Sequence, residues 1–327
     1  LPPMEEWLSA ESGAHPQQPD VLTLYFELLA ALGVYERYDE RYVTIIERTG
    51  QDVVYTLFCL DPSEIIRDGL QKARSSIFFS ATLTPLSYYR DLLGGTQDDP
   101  MLALPSPFDP DRLLLIAHQG ISTKYRDRPA SIRPVTQAIE AVVRHRRGNY
   151  LVYFPSYEYM RQGYEAFTEQ CPDVETLLQR GEMSEEARAD FLARFDTDTA
   201  ETLVGFCVLG GIFSEGIDLM GDRLIGSVVV GVGLPKISLH QDLIRDYFDE
   251  VNCQGYAYAY VYPGMNKVLQ AAGRVIRSET DAGVVLLIDQ RFGTGDYMRL
   301  YPDHWSGMKW VRGREALIEC LEGFRPG

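Results

Sequence analysis

The chain has 327 residues, of which 45% are hydrophobic, and this is enough apolar material for one large domain or two smaller ones. A formal net charge of -16 and a pI of about 4.8 exclude a protein that coats nucleic acid indiscriminately, so any such contact has to come from a few placed groups. The five cysteines form no CxxC pair, and no apolar run is long enough to span a bilayer. These features indicate a reducing, cytoplasmic compartment, with no metal site and no membrane partner.

Residues 1–50 are predicted to be helical, because VLTLYFELLAALGVYERY carries apolar residues at helix spacing after a proline-rich opening. The chain opens LPPMEEW, with its first methionine at position 4, and this favours a piece of a longer protein. The run VVYTLFCL predicts a short strand. Asp61 and Ser63 are both suitable caps for the helix SEIIRDGLQKA that follows it.

The segment SSIFFSATLTPL predicts a buried strand that runs into a turn. The hydroxyl side chains Ser80, Thr82 and Thr84 stand at its end, which is where α/β proteins place functional groups. A polar turn closed by Pro85 explains the same residues without any function.

Residues 98–112 are rich in proline and aspartate, and we interpret them as a linker into a second unit. Beyond the linker, strand and helix signals alternate. The strands are apolar and rich in β-branched residues: LLLIAHQG, NYLVYFPS, TLVGFCVLGG, LIGSVVVGVGLP and GVVLLIDQRF, with VETLLQR as a sixth candidate. Apolar strands that alternate with amphipathic helices predict a parallel sheet covered on both faces.

A basic island interrupts this acidic chain between residues 124 and 147. Seven basic residues face only Asp127 and Glu140 there: Lys124, Arg126, Arg128, Arg133, Arg144, Arg146 and Arg147. Such an island is able to follow a phosphate backbone. A solvated helix face explains the same charges equally well.

The segment GGIFSEGIDLMGDRL, residues 210–224, is rich in glycine and follows an apolar strand. Glycines allow a tight backbone path close to a ligand, and Ser214, Glu215 and Asp218 are the polar groups in that path. A few glycines are a weak signal, and an ordinary strand-to-helix connection is the alternative.

The stretch QAAGRVIRS contains the most informative charges of the chain. On a helix, Gln270, Arg274 and Arg277 share one face, and Gly273 leaves room in that face for another surface. Two neighbouring arginines in an apolar stretch indicate an anion between them, and a triphosphate suits their forked donors. A solvated basic turn is the alternative.

Taken together, the motif-bearing segments resemble motifs III, IV, V and VI of the XPD/DinG-type superfamily-two DNA helicases. These segments are SSIFFSATLTPLSYYRDLLGG, GNYLVYFPSYEYM, VLGGIFSEGIDLMGDRL, VVVGVGLP and VLQAAGRVIRSETDAGVVLLIDQRF. They occur in the family's order between about Val53 and Phe292. The last of them, with its DxGxxxLIDxRF pattern from Asp281 to Phe292, is the most specific.

The resemblance implies an α/β fold: a RecA-like domain of the P-loop-NTPase type, with a mostly parallel sheet flanked by helices and a helical N-terminal remnant. Residues 1–50 would be the remnant of the family's arch insertion. Residues 51–105 would be the end of motor domain 1, including motif III, and residues 106–327 would be motor domain 2. ATP would bind between the two motor domains, and single-stranded DNA would be the other partner.

The resemblance also assigns roles to individual residues. The catalytic set would be the motif VI residues Arg274 and Arg277, which would reach the γ-phosphate of ATP, and Gln270 beside them. The nucleotide-binding set would be Glu215, Gly216 and Asp218 of motif V together with Gly273. Contacts to DNA would come from Ser156 and Tyr157 of motif IV, with Arg126 and Arg146 of the basic island as further candidates. Ser80, Ala81 and Thr82 of motif III would couple hydrolysis to DNA movement.

The family's other ATP-site motifs are not among these 327 residues, since neither GxxxxGK[ST] nor a DEAH-type box occurs. We therefore expect the C-terminal part of an ATP-dependent DNA-repair helicase, inactive by itself. The ligands of ATP and Mg²⁺ would lie mainly in the missing N-terminal motor domain, which would also hold any iron–sulfur cluster. The alternatives are a catalytically inactive RecA-like adaptor and an unrelated nucleotide-binding enzyme, and the latter would need a phosphate loop after its first strand.

Overall fold

The fold is that of a computed structural model, which describes residues 1–10, 15–196, 201–214 and 218–325. Within these ranges the chain forms two compact units, which we call the small unit and the large unit. In the part of the chain that is described, no helix is both long enough and apolar enough to cross a membrane.

The small unit comprises residues 1–77 and 90–99. Its elements are helices α1 (Pro2–Ala10) and α2 (Gln18–Tyr35), strands β1 (Tyr42–Thr49) and β2 (Asp52–Cys59), and helix α3 (Ser63–Leu70). Strands β1 and β2 pair antiparallel along their whole length. The two-residue turn between them contains Gly50, whose φ is +66°. Such turns require a positive φ, which glycine adopts readily. Helix α4 (Leu86–Leu92) follows further along the chain, and its first four residues belong to the large unit.

The helical prediction for residues 1–50 holds for α1 and α2 but is wrong for β1. The segment YVTIIERT is dense in β-branched residues, whose stiff side chains favour a pleated strand. It also lies next to the predicted strand VVYTLFC across a turn at Gly50, so pairing is available locally.

The large unit comprises residues 78–89 and 100–327. Its strands are β3 (Leu113–His118), β4 (Asn149–Phe154), β5 (Glu175–Leu178), β6 (Leu203–Val208), β7 (Gly226–Val230), β8 (Gly283–Ile288) and β9 (Lys309–Val311). Its helices are α5 (Arg128–His145), α6 (Tyr157–Gln170), α7 (Glu185–Ala193), α8 (Leu239–Asn252), α9 (Tyr262–Ala272), α10 (Gly295–Met298) and α11 (Arg314–Glu322). A π-helical turn, Ala257–Val261, precedes α9.

The strands of the large unit form one seven-stranded sheet in the order β5-β6-β4-β7-β8-β3-β9, and every neighbouring pair is parallel. This confirms the predicted RecA-like α/β architecture. The central strands β4, β7 and β8 are buried at every position, because helices cover both faces of the sheet.

Alternate residues of each strand point to two separate hydrophobic cores. On one face, Leu115 of β3 belongs to the same core as Met265 of α9 and Phe213 of the segment after β6. On the other face, Ile116 belongs to the core that contains Ile139 of α5. Successive side chains of a strand point to opposite faces of the sheet, so neighbouring residues belong to different cores.

The predicted buried strand in SSIFFSATLTPL is wrong, because residues 75–80 carry no strand and are exposed. Ile77 is 84% exposed and Phe79 is 88% exposed. A buried strand needs neighbouring strands, and in the described ranges this segment pairs with neither the hairpin nor the seven-stranded sheet. Local sequence favours a strand here, but the structure provides no sheet to receive it.

Candidate functional site

The segment between β6 and β7, residues 209–225, connects opposite edges of the sheet. Because β6 and β7 are parallel, a chain that leaves the carboxyl end of one must return to the amino end of the other. We call this stretch the crossing segment. Phe213 and Leu219 anchor it in the core that also contains residues of α9, so it lies beside the arginine-bearing turn that follows α9.

The turn after α9 corrects one prediction. The sequence predicts Gln270, Arg274 and Arg277 on a single helical face, but α9 ends at Ala272 and only Gln270 lies within it. Gly273 caps the helix, and its amide donates to the carbonyl oxygen of Leu269 at 2.9 Å. Glycine is a poor helix former, so the chain leaves the helix at this residue.

Asp281 holds the turn that carries the arginines. Its Oδ2 accepts from the amides of Arg277 (2.7 Å) and Ser278 (2.8 Å), and its Oδ1 accepts from the Ser278 hydroxyl (2.5 Å) and the Gly221 amide (3.2 Å). The residue is only 4% exposed. Burial raises the pKa of this carboxyl, but the hydrogen bonds from Ser278 and from the backbone amides outweigh it, so the net pKa is lowered.

Both motif VI arginines contact the crossing segment. Arg274 Nη2 donates to the carbonyl oxygen of Ser214 at 2.7 Å. Arg277 Nε lies 3.9 Å from Asp218 Oδ1, and the Arg277 side chain is 35% exposed. The structure therefore places Arg274 beside Ser214 and Arg277 beside Asp218. The predicted nucleotide-binding residues Glu215 and Gly216 lie outside the described residues.

Gly273 and Gln270 border this arginine turn. Gly273 is exposed, and within the described chain an added Cβ there would meet only the carbonyl oxygens of Leu269 at 3.2 Å and Gln270 at 3.8 Å. The surface that Gly273 is predicted to admit is therefore not part of the described chain. Gln270 lies in the last turn of α9 and is half-buried.

A second group of predicted residues lies at the carboxyl end of β4. Ser156 caps α6, and its Oγ accepts from the amide of Tyr159 at 3.4 Å and from Arg128 Nη1 at 3.5 Å. The hydroxyl of Tyr157 accepts from Gln179 Nε2 at 3.1 Å. Parallel sheets collect functional side chains at this edge.

Asp289 closes the same edge of the sheet. It is fully buried and binds Arg291 through Nε at 2.8 Å and Nη2 at 2.9 Å. Thr123, in the loop after β3, donates both its amide, at 3.0 Å, and its hydroxyl to the same carboxylate. Burial raises the pKa of Asp289, but Arg291 and Thr123 more than offset it, so the net pKa is lowered.

The candidates from the basic island do not lie together. Arg146 donates to Asp222 Oδ1 at 3.1 Å. Asp222 lies just before β7, so Arg146 is at the amino edge of the sheet. Ser156 lies at the carboxyl edge, and the six-residue strand β4 between them spans roughly 20 Å. Arg126 is highly exposed and pairs with Asp127 at 3.5 Å in the loop after β3.

The motif III residues lie in an exposed turn of the large unit. The amide of Thr82 donates to Ser80 Oγ at 3.2 Å, and Ala81 between them is exposed. The stretch is anchored a few residues later, where the Tyr89 hydroxyl accepts from Asn266 Nδ2 of α9 at 2.8 Å. Tyr88 packs edge-on against Tyr258 beside it. The paired tyrosines Tyr88 and Tyr89 are the signal of this anchor in the sequence, and the anchor was not predicted.

Metal ligands do not cluster in residues 1–10, 15–196, 201–214 and 218–325, where no three His, Cys, Asp or Glu side chains are positioned to hold an ion. The five cysteines are free thiols, and two of them, Cys171 and Cys207, are buried. Burial raises the pKa of both thiols, so they behave as apolar core residues.

The parallel sheet with helices on both faces defines a RecA-like domain. Residues 139–308 match the helicase C-terminal domain family, and the chain belongs to that family. Its motifs and its fold place it among the C-terminal helicase domains of XPD-type superfamily-two helicases, which confirms the resemblance drawn from the sequence.

Several curated proteins are similar to the chain. The ATP-dependent DNA helicase CHL1 of Coccidioides immitis is 25% identical over 310 residues, covering 81% of this chain and 35% of that protein. The ATP-dependent DNA helicase YoaA of Escherichia coli is 28% identical over 227 residues, covering 68% of this chain and 34% of that protein. The chain thus spans about a third of the length of these relatives.

A solved XPD helicase structure superposes with a TM-score of 0.62 at 18% identity, covering 90% of this chain and 51% of that one. At this identity the likeness shows the fold alone.

Proposed function

We propose that this chain is the second motor domain of an ATP-dependent DNA helicase that translocates on single-stranded DNA, together with the end of the first motor domain. The observation that carries the proposal is the arginine turn. Asp281 accepts hydrogen bonds from backbone amides and a hydroxyl. These bonds fix the backbone of the turn and direct Arg274 and Arg277 along the crossing segment.

In this proposal ATP is the substrate, and the two guanidiniums stabilise the charge that develops on the transferring γ-phosphoryl group. A turn that is already held needs little reorganisation when the charge develops, and this is the main source of electrostatic catalysis. Arginine fingers of this kind contribute about 10³–10⁵ in rate. Mg²⁺, held by the first motor domain, would neutralise the phosphate oxygens.

Asp218 and the residues beside it complete the nucleotide side of the proposed site. Asp218 lies close enough to Arg277 to hold the guanidinium when no phosphate is bound. Glu215, Gly216 and Gly273 are proposed as further nucleotide-binding residues, and Gln270 as the polar neighbour of the arginines.

The DNA side is proposed at the carboxyl edge of the sheet, with Ser156, Tyr157 and Arg126 as contacts. Arg146 lies at the amino edge of the sheet, so it contacts DNA only where the bound DNA strand also reaches that edge. The coupling residues Ser80, Ala81 and Thr82 lie at and just after the end of the unpaired segment 75–80, which we propose completes the sheet of the first motor domain. Residues 1–50 would be the remnant of the arch insertion and residues 51–105 the end of that domain, with motor domain 2 over residues 106–327.

A chain of hydrogen bonds supports communication between the two sides. The Tyr157 hydroxyl binds Gln179 Nε2, and Gln179 Oε1 accepts from the amide of Val208 at 2.8 Å. Ser214 Oγ donates to the carbonyl oxygen of Val208 at 3.3 Å, and the carbonyl oxygen of Ser214 accepts from Arg274. Buried Gln179 therefore links a proposed DNA contact to a proposed ATP contact.

The test of the proposed function is ATP turnover with and without single-stranded DNA. The longer protein that contains this chain is expected to hydrolyse ATP in a DNA-stimulated manner and to lose about 10³-fold or more of that rate on Arg274→Ala. The 327-residue chain alone is expected to show no turnover. DNA-stimulated turnover by the chain alone that Arg274→Ala abolishes would contradict the two-domain proposal, and an inactive longer protein would favour the adaptor.

Gln179→Ala tests the link between the two sides. We expect the ratio of DNA-stimulated to basal turnover to fall several-fold, since coupling along such contacts amounts to about 0.5–2 kcal/mol. Basal turnover should change little. Gln162→Ala, which removes an exposed amide on α6 that is bonded to Glu158, is the control. Equal losses of basal and stimulated turnover in Gln179→Ala would show that Gln179 is merely structural.

A further inference from the structure

Arg128, at the start of α5, differs from three other arginines of the basic island in having no paired carboxylate among the described residues. Arg144 and Arg146 each pair with a carboxylate, as does Arg126. In the described part of the chain, no carboxylate oxygen lies within 4.0 Å of the Arg128 guanidinium. Its partners are neutral oxygens at long range: the carbonyl of Thr123 at 3.4 Å and Ser156 Oγ at 3.5 Å.

Two tyrosine rings hold the Arg128 guanidinium in place. Its central carbon lies 4.8 Å from the ring centroid of Tyr159 and 5.3 Å from that of Tyr125. Tyr159 is buried and is itself fixed by a 2.8 Å hydrogen bond to Ser131 Oγ, so it forms the floor of the stack. Stacking on aromatic faces orients a guanidinium without neutralising it.

Within the described ranges, the Arg128 guanidinium has no carboxylate paired with it. Burial lowers the pKa of the guanidinium, the two tyrosines oppose that effect, and neighbouring Arg291 adds to it. Asp289 is already bonded to Arg291 and Thr123. Asp127, which precedes Arg128 in the chain, is bonded to Ser122 and paired with Arg126. A half-buried guanidinium with unmet donors is suited to an anion, and phosphate oxygens match its fork.

Tyr125 supplies an apolar surface beside this charge. Its side chain is 84% exposed, although one side of the ring is occupied by Arg128. The residue lies in the loop after β3, on the same edge of the sheet as Ser156. An exposed aromatic ring next to a guanidinium is the arrangement that binds a base together with its phosphate.

We propose that Arg128 binds a backbone phosphate of single-stranded DNA and that Tyr125 stacks on an adjacent unpaired base. This inference rests on the proposed function, and it replaces a diffuse basic island by one defined nucleotide subsite. It also accounts for DNA binding by a chain of net charge -16, because one oriented guanidinium and one ring act locally.

The experiment measures binding of a fluorescent oligo(dT) strand to the 327-residue chain by anisotropy, from low to moderate salt. Arg128→Gln is expected to weaken binding roughly tenfold and to flatten the salt dependence by about 0.7 in log–log slope, which is the loss of one phosphate contact on a single strand. Tyr125→Ala is expected to weaken binding about tenfold with an unchanged slope, whereas Tyr125→Phe keeps the ring and the affinity.

Arg133→Gln is the matched control, since it removes the same charge from an exposed position of the same helix. Thermal midpoints report folding, and Tyr125→Ala serves if Arg128→Gln unfolds the chain. Losses from Arg128→Gln no larger than those from Arg133→Gln would overturn this inference alone. Duplex DNA competing as well as oligo(dT) would overturn the stacking role of Tyr125. No binding by the unchanged chain would overturn both the inference and the proposed DNA contact.

Discussion

Two buried aspartates of the DxGxxxLIDxRF pattern, eight residues apart, do different work. Asp281 is bonded to three backbone amides and a hydroxyl, while the guanidinium of the neighbouring Arg277 lies 3.9 Å from Asp218. Asp289 instead accepts hydrogen bonds from the guanidinium of Arg291. We propose from this comparison that Arg277 is available to a ligand because Asp281 binds its backbone, whereas Arg291 is structural because Asp289 binds its guanidinium.

The largest change in stability is expected from Asp289→Ala. It leaves the Arg291 side chain, which is 22% exposed, without its carboxylate, and breaking a largely buried pair in this way costs about 3–5 kcal/mol. Chemical denaturation of the chain measures it. The control is Asp296→Ala, which removes the carboxylate of an exposed pair with Arg299 and should cost less than about 1 kcal/mol. Equal losses would mean that Asp289 and Arg291 are not the structural half of the comparison.

A smaller loss is expected from Asp281→Asn. The amide keeps one acceptor oxygen but turns the other into a donor that faces backbone amides, so about 1–3 kcal/mol of stability should be lost at neutral pH. ATP turnover of the longer protein should fall by more than the loss of folded protein explains, because the turn that positions the arginines loosens. Unchanged turnover in a destabilised protein would show that Asp281 does not position the arginines.

The smallest effect is in the acid dependence of stability. Both carboxyls have a folded pKa below the ordinary value of 3.8, so each contributes stability that is present above 3.8 and is lost as the pH falls through the lower, folded pKa. Asp281→Asn should therefore flatten the fall of the unfolding free energy below pH 4. A steeper fall in the variant would reverse the sign of this argument.

Strand–helix alternation was enough to predict the architecture of the large unit. Strands such as β4 and β8 are apolar along their whole length, and only a sheet covered on both faces buries such runs. The short strand β9 was not predicted, because three residues, two of them exposed, give no periodic signal.

Local patterns failed where distant residues decide the structure. VLQAAGRVIR keeps helical spacing past Ala272, but Gly273 ends the helix and Asp281, several residues later, holds the turn. Similarly, SSIFFS has the composition of a strand without a sheet to join. The Arg128 guanidinium stacks on Tyr125 and Tyr159 and has no paired carboxylate among the described residues. No sequence pattern reveals either feature.

The central claim is that Arg277 serves a ligand while Arg291 serves the fold. Arg277→Ala and Arg291→Ala in the longer protein test it, with ATP turnover and thermal midpoint measured on the same preparations. We expect Arg277→Ala to abolish DNA-stimulated turnover with a midpoint within a few degrees of the unchanged protein, and Arg277→Lys not to restore it because an ammonium lacks the fork. Arg291→Ala should lower the midpoint by roughly 6–20 °C, from a broken buried pair at about 2–4 °C per kcal/mol. A midpoint that falls as far in Arg277→Ala as in Arg291→Ala would contradict the account.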